Sequence, residues 1–231
     1  MYLRTEGVIL SRRNYGEADR IVTFFTRDYG KITVLCKGVR RPRSKKAGHL
    51  ELGNWCKIFV AKGKNLDLLT EIELKTAFGI NEFSENKANK IYHFLEIVKN
   101  ITPDGQRNQS TFILLIHFLK QIANGEDFNL VSTTFKIKLL SNLGFFSTEQ
   151  LPDSNTKRFL EFLATEDFDI IKKEVVSRDK SLGPQSSDNS TRTARFTVSK
   201  SYLKVLAFLD SMIEDLCEQK LTTRKYVSQF V

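Results

Sequence analysis

The stretch Asp67-Leu68-Leu69-Thr70-Glu71-Ile72-Glu73-Leu74-Lys75 carries the plainest structural signal in the chain. Leu68, Thr70, Ile72 and Leu74 share one face of an extended segment, and Glu71, Glu73 and Lys75 share the other. That period of two marks a strand with one side buried and one side wet. Working outward, the run 66–76 follows the run 55–61 across Lys62-Gly63-Lys64-Asn65, which reads as a turn. Further back, 21–26 and 32–37 flank Asp28-Tyr29-Gly30, a hairpin turn, and 3–11 is a fifth β-rich run. Five strands in such a short segment must hide their edges, and a small closed barrel does so. The five-stranded barrel that binds nucleic acid is the oligonucleotide-binding (OB) fold, and an SH3-like barrel shares the same pattern.

After Gly79 the period changes to that of helices. Ile91, Phe94, Leu95 and Val98 follow i, i+3, i+4, i+7, and Phe112, Leu115, Ile116 and Leu119 repeat that spacing. Phe135, Leu139 and Leu143 continue it up to Gly144, a helix stop. Ser84 is placed to cap the first of these helices. Phe159, Phe162 and Leu163 mark a shorter helix, and Tyr202, Leu206, Leu209, Ile213 and Leu216 form a stripe suited to the core of a bundle. Residues 177–193 are rich in Ser, Asp, Asn, Gly and Pro and are expected to form a mobile loop. The predicted fold class is α+β: an N-terminal five-stranded OB-type β-barrel over 1–79, followed by an all-α C-terminal domain over 80–231.

The charge follows the same division. The chain of 231 residues has 36 Lys plus Arg against 27 Asp plus Glu, a formal charge of +9. Residues 1–79 hold 16 of those basic residues and 8 of the acidic ones, and 80–231 hold 20 and 19, so nearly all of the excess sits on the predicted barrel. From Tyr29 to Leu50 there is no acid, and Lys37, Arg40, Arg41, Arg43, Lys45 and Lys46 crowd into ten residues. Such a cluster is the electrostatic footprint of a polyanion site.

Other classes have less support. No apolar run reaches the roughly 18 residues of a membrane span, and the N-terminus lacks the apolar core of a secretory signal. Three cysteines, Cys36, Cys56 and Cys217, cannot form a full disulfide framework and point to a reducing, cytoplasmic setting. There is no phosphate-binding G-x-x-x-x-G-K-[ST], no dinucleotide G-x-G-x-x-G and no H-E-x-x-H. His49, His93 and His117 are scattered, the cysteine spacings suit no zinc site, and no cofactor or metal is expected. The carboxylate pairs Glu166-Asp167 and Glu214-Asp215 read as solvated. The expectation is a binding protein rather than an enzyme.

Gly7-Val8-Ile9-Leu10, Arg13, Tyr15-Gly16-Glu17, Asp19, Phe25-Thr26, Gly30-Lys31 and Lys37-Gly38-Val39-Arg40-Arg41, with Leu50 and Leu52, resemble the opening of the RecO family of bacterial DNA repair proteins. Leu221-Thr222-Thr223-Arg224 resembles that family's short polar motif after its last long helix. The resemblance implies an OB barrel followed by helices. It also implies a recombination mediator that binds single- and double-stranded DNA, anneals complementary strands and helps to load RecA onto strands coated by single-stranded DNA-binding protein. The partners it implies are RecR and the acidic C-terminal tail of that coating protein, in the bacterial cytoplasm at the nucleoid. Many members carry four zinc-binding cysteines in the helical domain, whereas residues 144–200 here contain none.

The residues expected to contact the DNA backbone are Arg12, Arg13, Lys37, Arg40, Arg41, Arg43, Lys45 and Lys46. Tyr15 and Tyr29 are candidates for base stacking, as is Trp55, for which core or rim packing is the favoured reading. Arg224 and Lys225 are secondary candidates for an acidic partner. The alternative function is a protein-interaction adaptor whose basic patch grips an acidic partner tail. A barrel-bearing hydrolase is the enzymatic alternative.

Overall fold

The structure, a computed structural model, describes residues 2–78, 85–146, 154–181, 205–218 and 220–227. Five strands, β1 (Tyr2–Tyr15), β2 (Asp19–Thr26), β3 (Gly30–Cys36), β4 (Trp55–Ala61) and β5 (Asp67–Thr76), close into a barrel in the order β1-β2-β3-β5-β4. Neighbours run antiparallel except β3 and β5, which meet in parallel through Val34 with Asp67 and Leu35 with Leu68. This is the five-stranded OB-type barrel expected from the sequence.

Closure depends on β1 pairing twice. Its first half, Tyr2–Val8, runs against β4, and Gly7–Tyr15 runs against β2. A bulge between Ile9 and Ser11 leaves Leu10 as the extra residue and lets the strand bend from one partner to the other. Ile9, Val22, Phe24, Val34, Ile58 and Val60 fill the barrel with no exposed surface. Val8, Leu10, Ile21 and Phe25 are also buried although they alternate with these core residues. They form the outer side of β1 and β2, where the Phe25 ring centroid lies 6.5 Å from that of Phe112. Burial on both sides explains why Gly7-Val8-Ile9-Leu10 reads as an apolar run and not as an alternation.

One detail of β5 differs from the sequence reading. Thr70 does not share a core-facing side with Leu68. Val60 pairs with Leu69 and Phe59 pairs with Glu71, so Thr70 is an inserted bulge residue. The bulge exchanges the two faces, so that Leu69 is the buried side chain before it and Ile72 and Leu74 pack on the core after it. The Thr70 hydroxyl donates to the Phe59 carbonyl at 3.1 Å.

Helices follow as α1 (Glu85–Ile101), α2 (Gln109–Ala123), α3 (Phe128–Asn142), α4 (Ser154–Thr165), α5 (Phe168–Ser181), α6 (205–217) and α7 (Arg224–Val227) among the described residues. Ser84 lies outside the described residues. Asn108 and Asp127 cap α2 and α3 by accepting from the Thr111 and Leu130 amides. Gly144 ends α3 with φ of 77°, and the Phe145 amide reaches back to the Leu140 carbonyl. Residues 177–181 continue α5 where a loop was expected, and 182–193 lie outside the described residues. In the expected 202–216 stripe, Leu209 and Ile213 are buried and Leu216 is exposed; Tyr202 lies outside the described residues.

The chain divides into two compact units. The first is Met1–Glu126 with Leu216–Phe230, and the second is Asp127–Asp215. Within the first, the β2–β3 turn is bound to the segment after α1. Lys31 donates to the carbonyls of Lys99 and Thr102 at the C-terminus of α1, and the Gly105 amide donates to the Lys31 carbonyl. Gly30 has φ of +64°, and a Cβ there would stand 2.0 Å from the Gln106 carbonyl oxygen, so only glycine fits.

The C-terminal motif is fastened to α1. The Glu96 carboxylate accepts from the amides of Thr222 and Thr223, each at 2.9 Å, and from both hydroxyls. Since the Thr223 hydroxyl donates to Glu96, it accepts from Nδ1 of buried His93, 2.9 Å away. In the second unit α3 is buried on all sides. Its Lys136 meets Asp210 of α6 at 2.5 Å, with both side chains almost fully enclosed. Lys138 donates to the Ala164 and Glu166 carbonyls at the end of α4.

Two outcomes follow. Burial pushes the Glu96 carboxyl up, but the four donors from Thr222 and Thr223 outweigh it and hold the group below its ordinary 4.5. Its folded value is thus below its unfolded one, so its contribution is complete above about pH 4.5 and fades as pH falls through the lower folded value. Urea unfolding of Glu96→Gln across this range is expected to show a flatter acid limb than the parent. In the second unit, Lys136→Met is expected to cost about 3–5 kcal/mol by leaving Asp210 buried without its cation, and the double variant Lys136→Met/Asp210→Leu to recover most of that deficit in denaturant titration.

Candidate nucleic-acid interface

The acid-free cluster lies in the connection from β3 to β4. Two of its apolar residues, Val39 and Leu50, are fully buried in the barrel core, so the connection crosses the barrel as a packed segment. A single turn of 3₁₀ helix, Ala47–His49, precedes Leu50. The Arg41 amide donates to the Gly38 carbonyl and the Ser44 amide to the Arg41 carbonyl, which gives the intervening residues two consecutive tight turns.

Both ends of this segment are tied to neighbouring strands. At its start the Gly38 amide donates to Asp19 Oδ1 at 2.7 Å, the Arg40 amide to the Ala18 carbonyl at 2.9 Å, and the Arg40 guanidinium to the Gly16 carbonyl at 3.1 Å. Gly16 and Ala18 belong to the turn between β1 and β2, and Asp19 is the first residue of β2. At the other end Arg12 donates to the Leu50 carbonyl at 3.0 Å and is ion-paired with Glu51. Lys46 donates to the Thr70 carbonyl at 2.5 Å and the Leu69 carbonyl at 3.4 Å, at the β5 bulge.

The eight basic residues singled out in the sequence therefore divide. Arg12 and Lys46 are half-buried and bound internally, and Arg40 is exposed but partly committed to Gly16. Arg13, Lys37, Arg41, Arg43 and Lys45 are exposed, and among the described residues none has a carboxylate within ion-pair distance. The bonds to Gly16 and Ala18 bring the start of the basic segment against the turn that follows Tyr15, at the end of β1. Tyr15 is half exposed there.

Tyr29 is not brought together with them. It lies at the opposite end of the β2–β3 hairpin from Lys37, with the length of β3, about 20 Å, between them, and packs against the barrel core. Trp55 is half-buried, with the ammonium groups of Lys75 and Lys120 at 4.5 and 5.6 Å from its ring centroid. Of the core or rim packing expected for it, this half-buried position between two cations is a rim one. Sequence reasoning missed the groups that anchor the segment: Glu51, the Thr70 bulge and the role of Asp19. Glu51 is the first acid after the acid-free stretch, and that position was its only signal. The bulge has no signature in a strand pattern that looks regular.

Burial pushes the Cys36 and Cys56 thiols up to about 12, so neither supplies a thiolate near neutral pH. Among the described residues no group of His, Cys, Asp and Glu is placed to hold a metal ion. The four-thiolate zinc motif has no donors between residues 144 and 200. No described helix is long and apolar enough to cross a membrane.

Comparison with known proteins agrees with this architecture. Residues 1–78 match the family model described as Recombination protein O N terminal, and residues 91–147 match Recombination protein O C terminal. The chain is 34% identical over 149 residues to the DNA repair protein RecO of Chloroherpeton thalassium, covering 63% of this chain and 57% of that protein. It is 31% identical over 142 residues to that of Dehalococcoides mccartyi strain CBDB1, with 62% and 56% covered. With that of Pelotomaculum thermopropionicum it shares 28% identity over 142 residues, with 62% and 55% covered. The chain thus spans little more than half the length of the curated relatives it matches. With the barrel and the following helices matched by the two models in the same order, the chain belongs to the RecO family.

Proposed function

We propose that this protein acts in DNA repair as a recombination mediator. It binds the backbones of single- and double-stranded DNA through its barrel, anneals complementary strands, and helps RecA to replace the single-stranded DNA-binding protein. Its partners are RecR and the acidic tail of that coating protein, at the nucleoid. The single observation that carries this reading is the exposed group Lys37, Arg41, Arg43 and Lys45 on a segment tied at both ends, with Arg13 exposed on β1 and no described carboxylate in ion-pair reach of any of them. The relatives, each named DNA repair protein RecO, support the same reading.

The proposed mechanism needs no covalent step. Two strands repel one another as polyanions. A rigid basic surface releases their counterions and lowers that repulsion, and base pairing then proceeds by itself. Contacts to phosphate position the strand without reading its bases, which suits annealing of any sequence. The half-exposed ring of Tyr15 would offer a base unstacked from such a strand a surface to stack on.

Salt titration of single-strand binding tests the assignment. Arg41→Glu/Arg43→Glu is expected to weaken binding and to make the plot of log affinity against log salt shallower by about 0.7 for each phosphate no longer neutralised. Unchanged affinity and slope would remove this segment from the interface. An affinity for acidic peptide together with negligible DNA binding at moderate salt would favour the adaptor instead. Lys45→Ala is expected to reduce the slope and leave the thermal midpoint in place. Lys46→Ala is expected to lower the midpoint, at a cost of about 1–3 kcal/mol, because its ammonium serves two strand carbonyls.

A further inference from the structure

Asp19 is an acid at the foot of a basic cluster. On charge alone it is a liability, since a carboxylate beside a bound polyanion repels it. The geometry gives it another part. Asp19 pairs with Tyr15 in the last register step of β1 with β2, so its backbone is held by the ladder. The last rung between β2 and β3 joins Arg20 to Cys36, and beyond it the two strands diverge. At that point Asp19 Oδ1 takes the Gly38 amide at 2.7 Å and replaces the rung that the backbone no longer supplies. The bonds from Arg40 to Ala18 and Gly16 follow directly. The turn from Gly38 to Arg41 begins at this fixed point, and the turn from Arg41 to Ser44 continues from it.

We infer that Asp19 is a positioning residue of the DNA-binding surface: its carboxylate holds the Gly38 amide and thereby sets Lys37, Arg41 and Arg43 beside Arg13. This rests on the DNA-binding reading above. A loop already ordered gives up little conformational freedom when a strand binds, whereas a loosened one must be ordered by the ligand. Loss of this acceptor is then expected to weaken DNA binding even where the negative charge goes with it, opposite in sign to the electrostatic effect.

Three substitutions separate geometry from charge. Asp19→Ala removes the acceptor and the charge, Asp19→Asn keeps an acceptor oxygen and removes the charge, and Asp19→Glu keeps the charge and moves the carboxylate out of place. Single-strand affinity against salt and hydrogen exchange at the Gly38 amide are measured for each. Asp19→Ala is expected to bind roughly tenfold more weakly with a shallower salt slope and a faster-exchanging Gly38 amide. Asp19→Asn is expected to keep the amide protected and to bind at least as tightly as the parent. Asp19→Glu is expected to bind more weakly than the parent at unchanged net charge. This last comparison decides the matter by itself if Asp19→Ala does not fold. Should the parent bind DNA while Asp19→Ala and Asp19→Glu match or exceed it, the positioning role is overturned and the DNA reading stands. Should the parent not bind DNA even at low salt, the DNA reading itself falls.

Discussion

The structure of the first unit depends on β1 making two ladders at once. A five-stranded sheet that stayed open would expose one edge on β1 and another on β4. Here the N-terminal half of β1 is paired with β4 and the rest with β2, and the Leu10 bulge makes the change of partner possible. Once the cylinder is closed, its interior is fixed by strand register. Ile9, Phe24, Ile58 and Leu69 then point inward whatever the outer surface carries. The outer side of β1 and β2 is left to the helices, and the contact of Phe25 with Phe112 belongs to that layer.

Closure also creates the proposed binding segment. The connection between β3 and β4 has to cross the barrel, and it does so by sinking Val39 and Leu50 into the core. A chain pinned at those two points can carry a dense positive charge between them with little freedom to collapse onto the nearest acid. Arg12, Lys46 and Arg40 spend some or all of their hydrogen-bonding capacity on carbonyls and on Glu51. Their neighbours Lys37, Arg41, Arg43 and Lys45 face water. A basic cluster thus contains two kinds of residue, one that builds the segment and one that the segment displays. Their shared sign hides the difference.

Polar groups fasten the helices as well. The Glu96 carboxylate gathers four donors from Thr222 and Thr223, so the polar C-terminal motif is a docking element of the first unit. The Lys136–Asp210 pair does comparable work inside the second unit. A buried pair of this kind adds little to net stability but penalises any packing that separates its members, which favours one register of α3 against α6.

Periodicity alone determined the strands, the change to helices after Gly79 and most of the buried positions. Alternation and helical spacing are direct consequences of backbone geometry, and residues such as Ile91, Phe94, Leu95 and Val98 have no other reason for their spacing. Local composition determined where the charge lies. It did not determine what each charge does, because Lys45 and Lys46 are adjacent and chemically identical, and only the β5 carbonyls distinguish them. Tyr15 and Tyr29 looked equivalent for the same reason, until the hairpin placed them at opposite ends. The Thr70 bulge, the Glu96 docking site and the bond from Asp19 to Gly38 each join residues that are distant along the chain or depend on strand pairing. Such contacts exist only once the barrel has closed and the helices have packed, so only the tertiary structure could decide them.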